Sequence, residues 1–517
     1  MKFNIKKIVA STLLSSIIFT TACGSAEEAI TLMSFKNTDC QDYQSVITMI
    51  DSISEASLET EAAIEAAYVK YFALEDDVKA QVTNFDKLLT LRDEVADLYE
   101  TKRTGDRIDR SKILIGSYNV NYIEDEDIKA IADCGIDFMT GVHKFEALDL
   151  MAKYGIGAFT HVIYHKFPYF RGNDRKKGVE ASPAPTYDEA SLREALPDIS
   201  TFDHEALWGI WVVDEPNAQD LPFHEMQRAV MQEKYPHLLH YINLYPHCGS
   251  SRMGVEDSTG FDEYQEYINE YIKNVKSDYI SYDRYMYGDY GANLYAMIRD
   301  TMIVAKASRE NDREFWMWLQ ANFPVDDGRT VSVDQMKFQA NLAMSFGVTG
   351  MIWGCWVGWW YNNVLDSEGN KTEQYDKLKV VNAETNVLSP VIIKYKSVDN
   401  GFIGKKHPGA SAFYLHDDNV INSDMFSDLS MPENTEQTVL CGYFEKKIGD
   451  GEAMMFMNIT DPDCATKETA TVFFKVSAEN AVVTEHTSYG SYILTPDADG
   501  NYKISVENAE YSFVTVE

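Results

Sequence analysis

The stretch Leu207–Pro216 reads LWGIWVVDEP, an apolar run of β-branched and aromatic residues that ends in two acids and a proline. Such a run is typical of a strand that is buried on both faces of a parallel sheet. Seven further runs of this kind alternate with amphipathic helical stretches between residues 112 and 386. The eight runs are Ile113–Val120, Gly135–Val142, Gly155–Val162, Leu207–Pro216, Leu239–Pro246, Ser277–Tyr285, Glu314–Ala321 and Val348–Trp356.

Eight strand–helix units predict an α/β fold, a (β/α)8 TIM barrel over residues 106–386, because such barrels typically take about 250 residues. A doubly wound sheet gives a similar alternation, but the glycine-rich turn that binds a dinucleotide is absent after the first run. In a barrel the active site lies at the carboxyl ends of the strands. The residues that close each run are therefore the candidates for chemistry.

Two further units flank the predicted barrel. Residues 45–105 carry apolar stripes at helical spacing, which predict a module of about three short helices. The segments Ala66–Tyr68 and Val82–Leu88 resemble the small three-helix modules of Gram-positive surface proteins, and this resemblance implies a spacer or adhesion unit. Over residues 387–517 short strands replace the helical pattern and predict a β-sandwich packed on the side of the barrel.

The first 23 residues have the pattern of an export signal, with three lysines, the apolar stretch Ile8–Phe19 and small residues before Cys23. Thr20–Ser25 resembles a bacterial lipobox, although Thr20 replaces the usual leucine. The resemblance implies that Cys23 is acylated and anchors the protein to the membrane at the bacterial cell surface, with residues 24–44 as a linker. A plain secretory signal is the alternative, and it also exports the protein.

The chain has 46 Lys and Arg against 81 Asp and Glu, a formal net charge of −35, and 45% of its residues are hydrophobic. This composition is typical of a folded protein, and the acidic excess excludes nucleic acid as a partner because phosphate binding needs a cationic surface. The six cysteines beyond Cys23 are scattered, without the spacing of a metal site. We therefore expect no metal and no cofactor.

The fourth run ends in Asp214 and Glu215, and the sixth run contains Asp283 near its end. Two adjacent acids that close an apolar strand are costly unless they are solvated or used. Burial near Trp211 would raise a carboxyl pKa, as a general acid requires. Because acids also cap helices at their N-termini, a cap on the following helix is the structural alternative for this pair.

These residues resemble the clan A glycoside hydrolases, especially bacterial members whose fourth strand ends in Asp-Glu-Pro in place of Asn-Glu-Pro. The segments His240–Pro246, Ile280–Tyr285 and Met344–Met351 support the resemblance, which covers residues 112–387 and fits the C-terminal sandwich as well. It implies that Glu215 is the general acid/base, that Asp214 replaces the asparagine that contacts the sugar, and that the substrate is an oligo- or polysaccharide.

The seventh run departs from that family, because Gln320 stands where retaining members carry a glutamate nucleophile, and an amide cannot take this role. Three accounts remain open. Asp283 supplies the second carboxylate, either as nucleophile or as base for a water. Alternatively, an N-acetyl group of the substrate is the nucleophile, with Asp214 polarising it and Glu215 protonating the leaving oxygen. In the third account the site has lost catalysis and only binds glycan.

Side chains that suit a sugar are concentrated in the same runs, since all eight tryptophans lie between Trp208 and Trp360. Aromatic faces beside amide and phenol groups are typical of such sites. Side chains alternate along a strand, so about half of them will pack against helices instead. The sequence therefore predicts an exported glycoside hydrolase or, alternatively, a non-catalytic glycan-binding lipoprotein. The predicted substrate-binding residues are Asn243, Tyr245, Tyr282, Trp318, Gln320 and Trp356.

Overall fold

The structure, a computed structural model, describes residues 43–100, 106–160, 188–195, 203–255, 261–288, 291–323, 328–358, 361–405, 421, 423–478 and 480–517. The signal segment, Cys23 and most of the predicted linker lie outside the described residues, so the predictions made for them stay predictions. None of the described helices is long and apolar enough to span a membrane.

The N-terminal module is helical, as predicted, and a one-turn helix joins the second and third of its longer helices. Its core is a small apolar cluster that includes Val46, Ile64, Leu88 and Val95. These side chains recur at helical spacing, so each helix buries one stripe against the other two. The helices are α1 (Tyr43–Ser52), α2 (Glu61–Phe72), α3 (Asp76–Lys79) and α4 (Phe85–Leu98).

The central domain is a closed parallel barrel, and all eight predicted strands are present among the described residues. They are β1 (Leu114–Val120), β2 (Phe138–Val142), β3 (Gly157–Thr160), β4 (Leu207–Asp214), β5 (Leu239–Asn243), β6 (Tyr279–Asp283), β7 (Glu314–Gln320) and β8 (Gly350–Gly354). The sheet order is β5–β4–β3–β2–β1–β8–β7–β6, and a parallel bridge between Leu244 and Tyr282 joins β5 to β6. The TIM-barrel prediction is confirmed.

The described helices of this domain alternate with its strands, as the sequence predicted. They are α5 (Asp125–Asp133), α6 (Leu148–Tyr154), α7 (Glu189–Ala195), α8 (Leu221–Lys234), α9 (Phe261–Asn274), α10 (Leu294–Glu310), α11 (Val333–Ser345) and α12 (Glu373–Ile392). Helix α12 continues past the predicted domain boundary at residue 386, because Leu388, Val391 and Ile392 extend its buried stripe around Pro390.

Aromatic side chains fill the interior of the barrel below its carboxyl end. Phe138, Phe159, Tyr241 and Trp316 are all fully buried in one cluster to which every barrel strand contributes. Rings of this size need space on the adjacent strand, and a Cβ on Gly116 would lie only 2.4 Å from the ring of Phe138. The barrel is therefore a packed core with a solid floor beneath its mouth.

The C-terminal domain is the predicted β-sandwich. Its strands are β9 (Tyr395–Gly404), β10 (Phe426–Ser430), β11 (Thr438–Lys446), β12 (Glu452–Asn458), β13 (Thr469–Val476), β14 (Val483–Thr487), β15 (Gly490–Ile493), β16 (Tyr502–Glu507) and β17 (Tyr511–Val516). An antiparallel sheet in the order β9–β11–β12–β17–β14–β15 faces a smaller one, β10–β13–β16. Met455 and Phe513 of the larger sheet join the apolar layer of the barrel, whereas Phe456 and Val514 pack against the smaller sheet.

A buried ionic cluster, which we call the junction, fixes the helical module to the two larger domains. Lys394 lies between α12 and β9, and its Nζ is 3.0 Å from both Glu61 Oε1 and Glu65 Oε1 of α2. Arg92 of α4 also contacts Glu65 Oε1, at 3.2 Å, and Lys446 at the end of β11 contacts Glu61 at 3.4 Å. The module, the barrel and the sandwich therefore meet at one point.

Candidate active site

Three polar side chains come together where neighbouring barrel strands end. Asp214 closes β4, Asn243 closes β5 and Asp283 closes β6, and Asp214 is paired with Asn243 in the parallel register. Side chains two residues apart share a face of a strand. The residues two positions before Asn243 and Asp283 are Tyr241 and Ser281, and both belong to the hydrogen-bonded interior of the barrel. Asn243 and Asp283 therefore face the barrel axis at its mouth.

The amide of Asn243 joins the two acids. Its Nδ2 donates to Asp214 Oδ1 at 3.1 Å and to Asp283 Oδ1 at 3.2 Å, so the two acceptor oxygens are separated by no more than these two hydrogen bonds. The predicted residues Asp214, Asn243 and Asp283 are thus brought into direct contact.

The environment of Asp283 favours its protonated form. Burial, and then the negative charge of Asp214, raise the pKa of the Asp283 carboxyl to about 7, against the smaller opposing effects of Asn243 and Arg284. Two carboxyls this close titrate as a pair, in which one proton is held at a pH where an isolated aspartate would be ionised. The site therefore contains a carboxyl group that can hold a proton near neutral pH.

Glu215 follows Asp214 and lies at the same rim. Its backbone has φ 51°, in the left-handed region that costs a residue with a Cβ about 1 kcal/mol or more. Its N–H donates to the carbonyl oxygen of Asn243 at 2.8 Å, which holds the turn against β5. Strained backbone of this kind concentrates at functional sites. Glu215 is half-buried.

The phenol of Tyr285 lies close enough to all three acids for their charges to affect its pKa. Burial raises the pKa of its phenol well above the ordinary value, and the charges of Asp283, Asp214 and Glu215 add to the shift. Its hydroxyl lies against the end of β8, where a Cβ on Gly354 would be only 2.9 Å away. Tyr285 therefore reaches across the mouth from β6 to β8. Tyr285 was not among the predicted site residues, although it follows Asp283 by two positions.

Two of the tryptophans and a tyrosine line the barrel at the level of the acids. Trp318 is paired with Asp283 in the strand register, and its ring centroid lies 5.3 Å from that of Trp211. Tyr118 packs edge-on against Trp211, with a centroid distance of 5.2 Å. Trp318 and Trp211 are each only 4% exposed, so they form a floor rather than an open platform.

The other three predicted aromatic residues pack against the helices around the barrel. Tyr282 is fully buried and bonds Thr301 of α10 through its hydroxyl, at 2.8 Å. Trp356 packs against Tyr375 of α12, with a ring-centroid distance of 5.8 Å. Tyr245 is buried in the same layer between the strands and the helices. Alternation along the strand explains the position of Tyr282, because its neighbours Ser281 and Asp283 face the barrel axis.

Gln320 occupies the end of β7, and it is fully buried. Its Oε1 accepts from the N–H of Tyr287 at 2.8 Å, and its Nε2 donates to the carbonyl oxygen of Tyr287 at 3.0 Å. Both ends of the amide are therefore used to hold the segment that follows Asp283. This pairing needs one donor and one acceptor, which a carboxylate cannot supply.

Within the described part of the chain there is no group of three or more histidine, cysteine or acidic side chains that could hold a metal ion. The acids at the mouth are instead surrounded by amide and phenol groups. Their arrangement suits proton transfer by carboxyl groups to and from a bound substrate.

No family model matches this chain, and neither does any curated protein. Among solved structures, a glucosidase from Croceicoccus marinus has 7% identity and a TM-score of 0.37, over 81% of this chain and 97% of that one. An endo-β-1,4-mannanase from Thermotoga petrophila has 9% identity and a TM-score of 0.35, over 77% and 91%. An endoglucanase from Pseudomonas stutzeri has 13% identity and a TM-score of 0.34, over 52% and 92%. These structural neighbours are glycoside hydrolases, but at these scores the likeness carries no argument about activity.

Proposed function

We propose that this protein is an exported glycoside hydrolase that cleaves O-glycosidic bonds of a glycan, with Glu215 as the general acid/base. The observation that carries the proposal is the convergence of Asp214, Glu215 and Asp283 on the mouth of the barrel around Tyr285. Cleavage of a glycosidic bond requires a proton donor for the leaving oxygen and a second group that supports the positive charge at C1. Glu215 supplies the proton, and the second group is either Asp283 or an N-acetyl group of the substrate that Asp214 polarises.

The raised pKa of Asp283 favours one of the two catalytic routes. A carboxyl that is protonated near neutral pH is a poor nucleophile, so the second group is better supplied by an N-acetyl substituent of the sugar. Asp214 accepts a hydrogen bond from the acetamido N–H, and the acetamido oxygen attacks C1 while Glu215 protonates the leaving oxygen. Glu215 then removes a proton from water, which opens the cyclic intermediate. Glycosidases that use the substrate in this way are known exceptions to the two-carboxylate scheme.

The alternative function, glycan binding without catalysis, does not require two carboxyl groups close to each other. Carboxyl groups held as close as Asp214 and Asp283 repel each other, and this costs stability in a site that only binds. The left-handed backbone of Glu215 is a second local cost at the same rim. Together they support the hydrolase over the binding protein.

The test compares pairs of chromogenic aryl glycosides that differ only in an acetamido or a hydroxyl group at C2, in both anomeric forms. We expect turnover of an acetamido substrate and a loss of about 10²–10⁴-fold in kcat for Glu215→Gln. Glu146→Gln is the matched control, because Glu146 is an exposed acid in the loop that follows β2. Glycan binding with no turnover of any substrate by the wild-type protein would contradict the proposal.

Glu215→Gly separates catalysis from backbone structure. Glycine adopts the left-handed conformation without the cost borne by glutamate, so the variant should melt at the same temperature as the wild type or slightly above it. Its turnover should nevertheless be lost. Retained activity in a stable Glu215→Gly variant would remove Glu215 from the mechanism.

We propose further that Cys23 carries a lipid anchor. Cys23→Ala should then move the protein from the membrane fraction to the medium of the producing bacterium. Membrane association that is unchanged in this variant would contradict the anchor and leave the catalytic proposal intact.

A further inference from the structure

A chain of buried hydrogen bonds runs from the barrel interior to the two acids. Trp318 Nε1 donates to the hydroxyl oxygen of Tyr241 at 2.7 Å, and that hydroxyl lies 2.7 Å from Ser281 Oγ. Ser281 Oγ donates to Asn243 Oδ1 at 3.1 Å, and Asn243 Nδ2 donates to both Asp214 and Asp283. We call Trp318, Tyr241, Ser281 and Asn243 the relay. Each of its four residues is less than 5% exposed.

The relay has a fixed direction because an indole N–H can only donate. The hydroxyl oxygen of Tyr241 accepts from Trp318, so the phenol proton is directed to Ser281. The proton of Ser281 in turn points to Asn243 Oδ1. This leaves the two N–H bonds of the Asn243 amide for the two carboxyl groups, one for each. A flipped amide would point its oxygen at both acids and lose the bond from Ser281.

We propose, on the basis of the proposed function, that Asn243 is a positioning residue that holds Asp214 and Asp283 as one proton-sharing pair, and that Trp318, Tyr241 and Ser281 impose its orientation. Asn243 does not react in this scheme. It sets the distance between the two carboxyl groups, and its donated hydrogens partly offset the repulsion between them. Residues of the barrel core therefore determine, through the orientation of Asn243, that the two carboxyl groups hold one proton between them.

The relay predicts a direction for the titration of the pair. A hydrogen bond donated to a carboxylate favours its charged form, so weakening the Asn243 amide should raise the pKa values of the pair. The groups around Asp283 must be considered with it, because each contributes to the same titration. They are Asp214 on β4, Tyr241 on β5, Cys248 in the loop after β5, Tyr264 on α9, and Arg284 and Tyr285 after β6.

The experiment measures kcat/KM against pH for the wild type and for Asn243→Ala, Ser281→Ala and Tyr241→Phe. The limb that reports the pair should move to higher pH by about one unit in Asn243→Ala, and by less in Ser281→Ala and then Tyr241→Phe. Ser117→Ala is the matched control. Ser117 is a fully buried serine of β1 that donates to the carbonyl oxygen of Trp353 at 2.8 Å and has no part in the relay. Profiles of Ser281→Ala and Tyr241→Phe that superimpose on that of Ser117→Ala would overturn the proposal.

A second measurement does not depend on activity. The melting temperature of each variant is followed between pH 4 and pH 8 and compared with that of Ser117→Ala at each pH. Stability falls as the pair ionises, and the upper end of this fall should be displaced to higher pH in Ser281→Ala and in Asn243→Ala. If no glycoside is cleaved but this displacement occurs, the proposed function fails and the relay stands. If turnover occurs and neither readout moves, the relay fails and the function stands.

Discussion

Two groups of acids in this molecule have opposite electrostatic surroundings. At the junction, burial acts to raise the pKa of Glu65, but Arg92 and Lys394 hold it far below the ordinary value, and Lys394 likewise lowers the pKa of Glu61 against burial. At the mouth, the negative charge of Asp214 acts on Asp283, both acids accept from the neutral amide of Asn243, and the pKa of Asp283 is raised. Burial acts in the same direction in both places. The charge of the neighbouring groups therefore decides whether the carboxyl pKa is raised or lowered.

The comparison separates acids that stabilise the fold from acids that are available for chemistry. A carboxylate in contact with a buried ammonium group stays ionised and cannot exchange protons at neutral pH. A carboxyl opposite another carboxyl is less stable as an ion, so it exchanges its proton near the working pH. No sequence motif distinguishes these two kinds of acid, whereas their neighbours in the fold do.

The largest effect is expected from Lys394→Met. The variant leaves Glu61 and Glu65 buried without their shared cation, which should cost about 3–5 kcal/mol of unfolding free energy at neutral pH. The cost should shrink toward pH 4, because the lowered pKa values make the junction stabilising above the ordinary glutamate pKa and the stabilisation is lost as the pH falls. Thermal melts and limited proteolysis of the helical module measure it. The control is Lys396→Met, whose side chain is 58% exposed, and equal melts for the two variants would contradict the role of the junction.

A smaller effect of opposite sign is expected from Asp283→Asn. Because the pKa of Asp283 is raised to about 7, the folded state retains a proton that the unfolded chain releases between about pH 4 and pH 7. Wild-type stability therefore declines across this window as the pH rises, and the variant lacks this decline. As the pH rises from 5 to 8, the free energy of unfolding of the variant should increase relative to that of the wild type by about 2 kcal/mol, a figure reduced for the solvent at the rim. Parallel stability curves for the two proteins would show that Asp283 is not perturbed.

Asp214→Asn should have a weaker effect of the same sign. It removes the charge that acts on Asp283 but leaves the burial, which is the larger cause of the raised pKa. The pH range over which stability declines should therefore end at a lower pH than in the wild type, but the decline should not disappear. Melts of Asp214→Asn across the same pH range measure this change. A variant that behaves like Asp283→Asn would show that charge, and not burial, dominates.

The smallest effect is expected from Asp125→Asn. Asp125 and its partner Lys153 are each 50% exposed, and water screens an ion pair of this kind. The melting temperature should not change measurably at any pH between 5 and 8. A large loss would mean that exposed pairs matter here as much as the junction does.

The barrel could be predicted because each of its strands is a short apolar run with a helix pattern on either side. The sandwich was harder to predict from its sequence. Strand β9 contains Asp399, Asn400 and Gly401, which are typical turn residues, and its pairing with β11 has an irregular register at Ser397 and Asp399. Strand β10 is short and mostly exposed. Neither strand shows the hydrophobic pattern that would have identified it, so only the packing of the sheets reveals them.

The acids of the site could be predicted from their positions at strand ends, but the bonds among them could not. The link between Asp214 and Asp283 through Asn243 depends on the register between β4, β5 and β6, which periodicity does not determine. Ser281 and Tyr241 could have been found, because each precedes a predicted site residue by two positions and shares its face. Tyr282 and Trp356 were chosen from their residue types and their positions near strand ends. Strand-end position does not determine side-chain direction, and both side chains pack against helices.

Gln320 also has a consequence for how this barrel can evolve. Its amide pairs with the main chain of Tyr287, whose hydroxyl donates to the carbonyl oxygen of Pro462 in the sandwich at 3.1 Å. A single substitution to glutamate would leave the carbonyl of Tyr287 without its donor and would place a charge in a fully buried position. A glutamate therefore cannot be introduced at this position in one step. The segment around Tyr287 and its contact with the sandwich would have to change first. The surroundings of Gln320 therefore oppose its replacement.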